Sequence, residues 1–453
     1  MWLKRIIWLP VLSWYVLNPY LSPDSYWYLT AAQAIRTNTW QENYVWNRTP
    51  GYPLLIAIVN SFSPFNALYV ISVVQVLMTL FSVAAFNRIL KTNEPIEARR
   101  QLIGRLILSA WVLCFILYGG YLSSILQQCL MFNALIWTII FTVKVFRRKF
   151  SSGKELVYIC LLIVIEFLIH PLCAFVLSLS YTSVVFARIN TNRSTLRSTG
   201  HFKRLIIHSL IPILVLTMTA ISWMSISSSM AGDQIATRSS DSAKNLSSSD
   251  SANNLSSSDS AVGSISKSPS YLVTDPNFVV SIGQPLMKNP IDRFLSIPKN
   301  VFVNLIDFPL KGPNIHIGFF RIFSSKQYCV APPSEVILNV SPGLLKGLPL
   351  SCQQSIPNQL DSLNDFLAPI IYYSAYFSVF FLLAVSLIIV YRSGTLLRIM
   401  YVPPITFVFT YSLLGAHENR YGAPATSILC ILGIYGLSRS REERIEVYED
   451  CRL

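Results

Sequence analysis

The chain has 453 residues, 52% of them hydrophobic and only 13% charged, with a mean hydropathy of +0.48 and a net charge of +14. Soluble domains carry about 25% charged residues, so this composition excludes a water-soluble globular protein. The apolar residues come in runs of about 20, the length that crosses a bilayer core, and in lipid such runs must be helices because no water is there to bond the backbone.

Ten spans follow in chain order, at about 3–21, 66–90, 103–122, 125–146, 155–170, 171–187, 205–224, 366–391, 399–416 and 422–438. Lys4 and Arg5, ahead of Ile6–Leu21, resemble the start of a signal peptide. The bulky Asn18-Pro19-Tyr20-Leu21 offers no small-residue cleavage site, so this segment is expected to be an uncleaved anchor. Pro171 leaves two readings of 155–187: a pair of spans, or one long kinked helix that would invert everything after it.

Charge placement favours the ten-span reading. It gives the cytoplasmic side 23 of the 36 basic residues and only 8 of the 22 acidic ones, while the outer segments hold 13 of each. Lys and Arg held inside is the usual rule for membrane proteins, and it puts both termini in the cytoplasm. The pI of 9.4 then reports topology and contact with anionic lipid, not nucleic acid. Cys114, Cys129, Cys160, Cys173 and Cys430 fall in spans as small core residues, and Cys451 in the basic tail. Only Cys329 and Cys352 lie in an outer segment, where an oxidising compartment allows them to pair. Such a bridge would contribute roughly 3 kcal/mol through the loop it closes.

Two outer segments are long, 22–65 and 225–365. In the first, Ser22-Pro23-Asp24 reads as a helix start. Trp27, Ala31, Ala34 and Ile35 then form an apolar stripe, expected to lie on the outer membrane surface. Arg48-Thr49-Pro50-Gly51-Tyr52-Pro53 leads into Leu54–Phe62, which is too short to span. The second segment opens with a tandem repeat from Asp241 and Asp250, restarting at Asp259. This Ser-rich stretch cannot bury a core, so 233–268 is expected to be disordered. Asn245, Asn254 and Asn339 stand in N-x-S sequons. Residues 271–365 suit a small folded extracytoplasmic cap between the seventh and eighth spans.

Pro23-Asp24-Ser25-x-x-Tyr28-Leu29-x-x-Ala32 after a span, then Arg48-Thr49-Pro50-Gly51-Tyr52-Pro53-Leu54-Leu55, resembles the first outer loop of the GT-C superfamily. These are polytopic glycosyltransferases that use polyprenyl-phosphate sugars, such as the protein mannosyltransferase and aminoarabinose transferase relatives. Glu418-Asn419-Arg420-Tyr421 with Pro424 is similar to the E-x-R-Y-x-x-P segment common there. The resemblance covers 1–224 and 366–438 and leaves 225–365 unmatched. It implies an all-α GT-C-like fold in a bacterial cytoplasmic membrane, with an active site on the outer side. The implied partners are a polyprenyl-phosphate sugar donor, membrane lipids, and a glycan, lipid or protein acceptor.

That chemistry needs a base for the acceptor's proton and a cation for the departing phosphate. The resemblance gives Asp24 the first role; without it Asp24 would be a carboxylate favouring a helix N-terminus. Arg420 is the natural phosphate clamp, because its planar fork donates two hydrogen bonds. On a helix it shares a face with His417 and Tyr421, and the competing reading is a helix end snorkelling to the interface. Arg48 is either a second phosphate contact or a loop anchor. Glu166 and His170, four residues apart in one span, either line the donor cavity with Glu418 or pair with each other as helix glue. Two departures stand out: His170 precedes Pro171 where relatives carry Arg, and Gln127 and Gln128 stand where an acidic residue is frequent. No DxD motif occurs, so a divalent cation would find only Asp24 and Glu418 as ligands, and no metal site is assigned. No P-loop, nucleophile triad or Rossmann fingerprint occurs either.

An O-antigen-type polymerase or ligase would share the donor class, but does not call for an acidic residue directly after the first span. A lipid or glycan transporter predicts paired midplane charges in two repeated halves, and the chain has no such repeat.

A cysteine introduced at Ser270 is expected to react with an impermeant thiol reagent on intact cells, and Cys329 and Cys352 to be recovered as a disulfide. A protected Ser270→Cys would end the ten-span topology, and two free thiols would remove the bridge.

Overall fold

The computed structural model describes residues 23–39, 49–62, 67–91, 104–111, 127–147, 153–191, 207–227, 290–306, 360–392, 394–413 and 419–437, with single residues 102, 114 and 229. Regular structure among them is entirely helical. In chain order the helices are α1 (Pro23–Thr37), α2 (Gly51–Phe62), α3 (Ala67–Lys91), α4 (104–111), α5 (Gln128–Arg147), α6 (Gly153–Ile169), α7 (Pro171–Thr191), α8 (Ile207–Ser227), α9 (Pro290–Ile306), α10 (Leu360–Arg392), α11 (Thr395–Leu413) and α12 (Asn419–Leu437).

Six segments are long and apolar enough to cross a membrane: Val70–Leu90, Gln128–Arg147, Pro171–Arg188, Ile207–Ser227, Tyr373–Tyr391 and Thr395–Leu413. The molecule is thus an all-helical, multi-pass membrane protein. The segment read as the first span, 3–21, lies outside the described residues, as do the repeat, the sequons and both outer-loop cysteines. α2 has 12 residues, about 18 Å of helix, too short for a bilayer core.

The chain turns back at His170-Pro171. Ile159, Ile163 and Phe167 of α6 share one buried cluster with Ala174, Leu177, Tyr181 and Val184 of α7. Phe141 of α5 lies 5.7 Å from Tyr158 and 6.2 Å from Tyr181, which stand nearly equally far on either side of the corner. Two antiparallel helices result, and the single kinked helix does not form. Pro171 suits this corner because the first turn of a helix needs no N–H there.

α12 sits at the centre. Every residue from Gly422 to Gly436 is buried, against α5, α9, α10 and α11. Gly433 brings α12 close to α10: a Cβ there would lie 2.9 Å from Ser386 Cβ and 3.1 Å from Leu382 O. Beside it, Ser386 Oγ donates to Leu429 O at 2.7 Å and lies 2.9 Å from the Tyr401 hydroxyl of α11.

Three findings go beyond the sequence reading. α1 is covered on two sides, with Tyr28, Leu29 and Ala32 against α2, α3 and α5, and Ala31 and Ala34 against Trp223 of α8. It is therefore not a helix with one covered face. α8 turns most of its surface outward, with Leu210, Leu214, Met218 and Ile221 exposed, and touches its neighbours through Val215, Leu216, Ala220 and Trp223. Third, α9, from the segment expected to form a separate cap, packs directly on α11 and α12.

Gly433→Ala is expected to lower the thermal unfolding midpoint in detergent more than Gly436→Ala. The added methyl meets the α10 backbone and Ser386 Cβ at 433, whereas at 436 it meets side-chain atoms of Ile389 and Leu397. Overpacking of this kind costs about 1–3 kcal/mol. Equal midpoints would mean the α10–α12 contact yields freely.

Candidate functional site

The first outer loop is pinned to the end of α6. Thr49 Oγ1 donates to Ile169 O at 3.0 Å, satisfying a carbonyl at a helix C-terminus that no longer has an intrahelical partner. Gly51 lies so close that a Cβ would stand 2.5 Å from Leu168 O. Pro50 O accepts the Leu54 N–H at 2.8 Å and starts α2. Tyr52, fully buried, meets Tyr28 edge-on at 5.1 Å and accepts a hydrogen bond from Gln75 Nε2 at 3.2 Å. Burial holds its phenol well above its usual range, so it is neutral. Thr49, Gly51 and Tyr52 of the Arg-Thr-Pro-Gly-Tyr-Pro motif thus each have a structural task.

α1 closes the same arrangement. Asn38, at φ 57°, ends it in the left-handed region, with Thr39 N bonded to Ala34 O at 2.9 Å and Asn38 N to Ile35 O at 3.4 Å. This is a Schellman-type stop with Asn where glycine is commonest.

α3 and α5 meet through polar side chains. Gln75, Thr79 and Ser82 line the face of α3 toward Cys129, Asn133 and Trp137 of α5. Trp137 Nε1 donates to Ser82 Oγ at 3.0 Å, and Asn133 Nδ2 to Thr79 Oγ1 at 3.4 Å and to Cys129 O at 2.8 Å. Gln127 and Gln128 are buried at the start of α5.

Glu166 and His170 do not pair with each other. Glu166, 6% exposed, accepts a hydrogen bond on Oε1 from Thr138 Oγ1 of α5 at 3.2 Å, and its Oε2 has no hydrogen-bond partner. His170 accepts the Leu172 N–H on Nδ1 at 3.2 Å, acting as a cap for α7. That bond makes Nδ1 the acceptor and leaves the proton of the neutral ring on Nε2, which lies 3.3 Å from the Tyr411 hydroxyl of α11. Tyr411 in turn reaches Met131 Sδ at 3.8 Å. Each residue therefore ties the corner to a different helix. Because Thr138 is ten residues into α5 and the corner is four beyond Glu166, the corner stands roughly 9 Å inside the start of α5.

Of the other site residues, Asp24 falls in the first turn of α1, and Arg420 and Tyr421 in the first turn of α12; their side chains lie outside the described part. Arg48, His417, Glu418, Cys329 and Cys352 lie outside the described residues. Among the described residues, no three His, Cys, Asp or Glu side chains form a metal-ligand group. Tyr411 and Thr138 were not singled out in the sequence. A hydroxyl in an apolar run is the signal both carry, and nothing local distinguishes them from the many other hydroxyl-bearing residues. No family model, no curated protein and no solved structure matches this chain.

Thr49→Val keeps the side-chain shape and removes the donor to Ile169 O. A bond of this kind contributes about 1 kcal/mol. A cysteine placed at the buried Ala57 should therefore react faster with thiol reagents in Thr49→Val protein than in a Thr49 background. Unchanged reactivity would mean that α2 is held without this bond.

Proposed function

We infer that the chain is a GT-C-type membrane glycosyltransferase with ten spans and cytoplasmic termini, transferring a sugar from a polyprenyl phosphate to an extracytoplasmic acceptor. The observation that carries this reading is that the α6–α7 corner is held both by the first motif and by α11, the helix that precedes the second. Thr49 and Gly51 of the first motif rest on Leu168 and Ile169, and Tyr411, six residues before His417, reaches His170.

In the proposed reaction an acceptor hydroxyl or amine attacks the anomeric carbon while its proton passes to the Asp24 carboxylate. The bond from that carbon to the phosphate oxygen breaks, and the electron pair leaves with the lipid phosphate. Arg420 stabilises the growing charge through its two-pronged donor geometry. A single displacement inverts the anomeric configuration.

Asp24→Asn keeps size and helix-start chemistry but removes basicity, so transfer should fall by about 10²-fold or more, with expression unchanged. Arg420→Lys keeps charge and loses the fork, so donor use should suffer as well. Comparing the glycans of cells with and without the gene identifies the product to assay. Full activity of Asp24→Asn on that product would overturn the mechanism and pass the role to Glu42 or Glu418.

A further inference from the structure

α9 comes from the 225–365 segment, to which the motif resemblance assigns nothing, yet it is fixed tightly to one place. Asn300 and Asn304 stand one turn apart on it. Asn300 Nδ2 donates to Ser412 O at 3.1 Å and Asn304 Nδ2 to Ser412 Oγ at 2.9 Å, both on the last turn of α11. Thr426 Oγ1 of α12 lies 3.3 Å from Leu305 O. Gly422 rests on the backbone of Asn304, with no room for a side chain between the two helices. Asn304 is fully buried, while Leu295 and Phe302 on the far side of α9 are exposed.

Apolar packing alone would hold α9 with freedom to slide. Buried amides with fixed partners remove that freedom, because sliding by one residue would leave polar groups unbonded. The place so fixed is the junction of α11 and α12, and Arg420 and Tyr421 come directly before Gly422.

We propose that α9 is a positioning strut for the turn carrying Arg420, with Asn304, Ser412 and Gly422 as its contact points, so that lipid-phosphate binding is set from the 225–365 segment. This rests on the reading of Arg420 as the phosphate clamp. Asn304 acts through Arg420 and touches no substrate.

The test is the affinity of the purified full chain for undecaprenyl phosphate. Arg420→Ala should weaken binding, and Asn304→Ala should weaken it about ten-fold. Ser412→Ala, which removes the same contact from the α11 side, should act in the same direction and serves if Asn304→Ala does not fold. Leu295→Ala, on the exposed face, should bind as wild type. In an Arg420→Ala background, Asn304→Ala should add no further loss. An equal loss with and without Arg420 would mean a general loosening and overturn the strut. Wild-type binding by Asn304→Ala and Ser412→Ala, with Arg420→Ala impaired, would overturn the strut alone. Unimpaired binding by Arg420→Ala would remove the clamp and the strut together.

Discussion

Lipid tails are as apolar as leucine, so burying apolar surface gives membrane helices little reason to associate. Close backbone approach and hydrogen bonds between helices must hold them instead. Around α12 both are present. Gly433 brings it within van der Waals reach of the α10 backbone, Ser386 bonds across to Leu429 O, and Gly422 meets α9 directly. α5, α9, α10 and α11 pack against this axis, and α8 is the most exposed of the six membrane-length helices.

The same rule explains the polar content of the interior. Thr79, Ser82, Asn133 and Trp137 join α3 to α5, Gln75 joins α3 to Tyr52 of α2, and Thr138 joins α5 to Glu166. Such bonds average about 0.6 kcal/mol each in membranes, so their larger contribution is register. Register matters most near the α6–α7 corner, where Thr49 just before α2, Thr138 of α5 and Tyr411 of α11 each bond a separate residue of the 166–170 stretch. Three bonds from three separate parts of the chain fix the geometry of this corner.

The spans were legible because an apolar run of bilayer length is a local signal. α3, α5, α7 and α11 begin or end within a few residues of the sequence reading. Partners were not legible, because they are non-local. Spacing alone offered Glu166 and His170 as a pair, yet their hydrogen bonds go to α5 and α11. Thr49 and Gly51 read only as part of a motif ahead of a short apolar stretch, and what they serve is the end of α6, about 120 positions later. α9 escaped notice because Asn300 and Asn304 interrupt the covered edge made by Ile297, Val301 and Leu305, and with Pro298 in the middle it carries no long apolar run.

The position of α12 in the chain bears on how the molecule is made. Translation proceeds at about 5–20 residues per second, so the central helix emerges roughly half a minute after α3. Until then the faces of α5, α10 and α11 that will receive it have no permanent neighbour, and the glycines and hydroxyls that suit α12 have nothing to grip. Closure of these faces must therefore await the synthesis of α12. The newly inserted spans need either a chaperone in the bilayer or provisional lipid packing loose enough to be displaced. A message truncated before residue 419 would leave helices inserted around a vacant axis, a ready substrate for the membrane's own proteases.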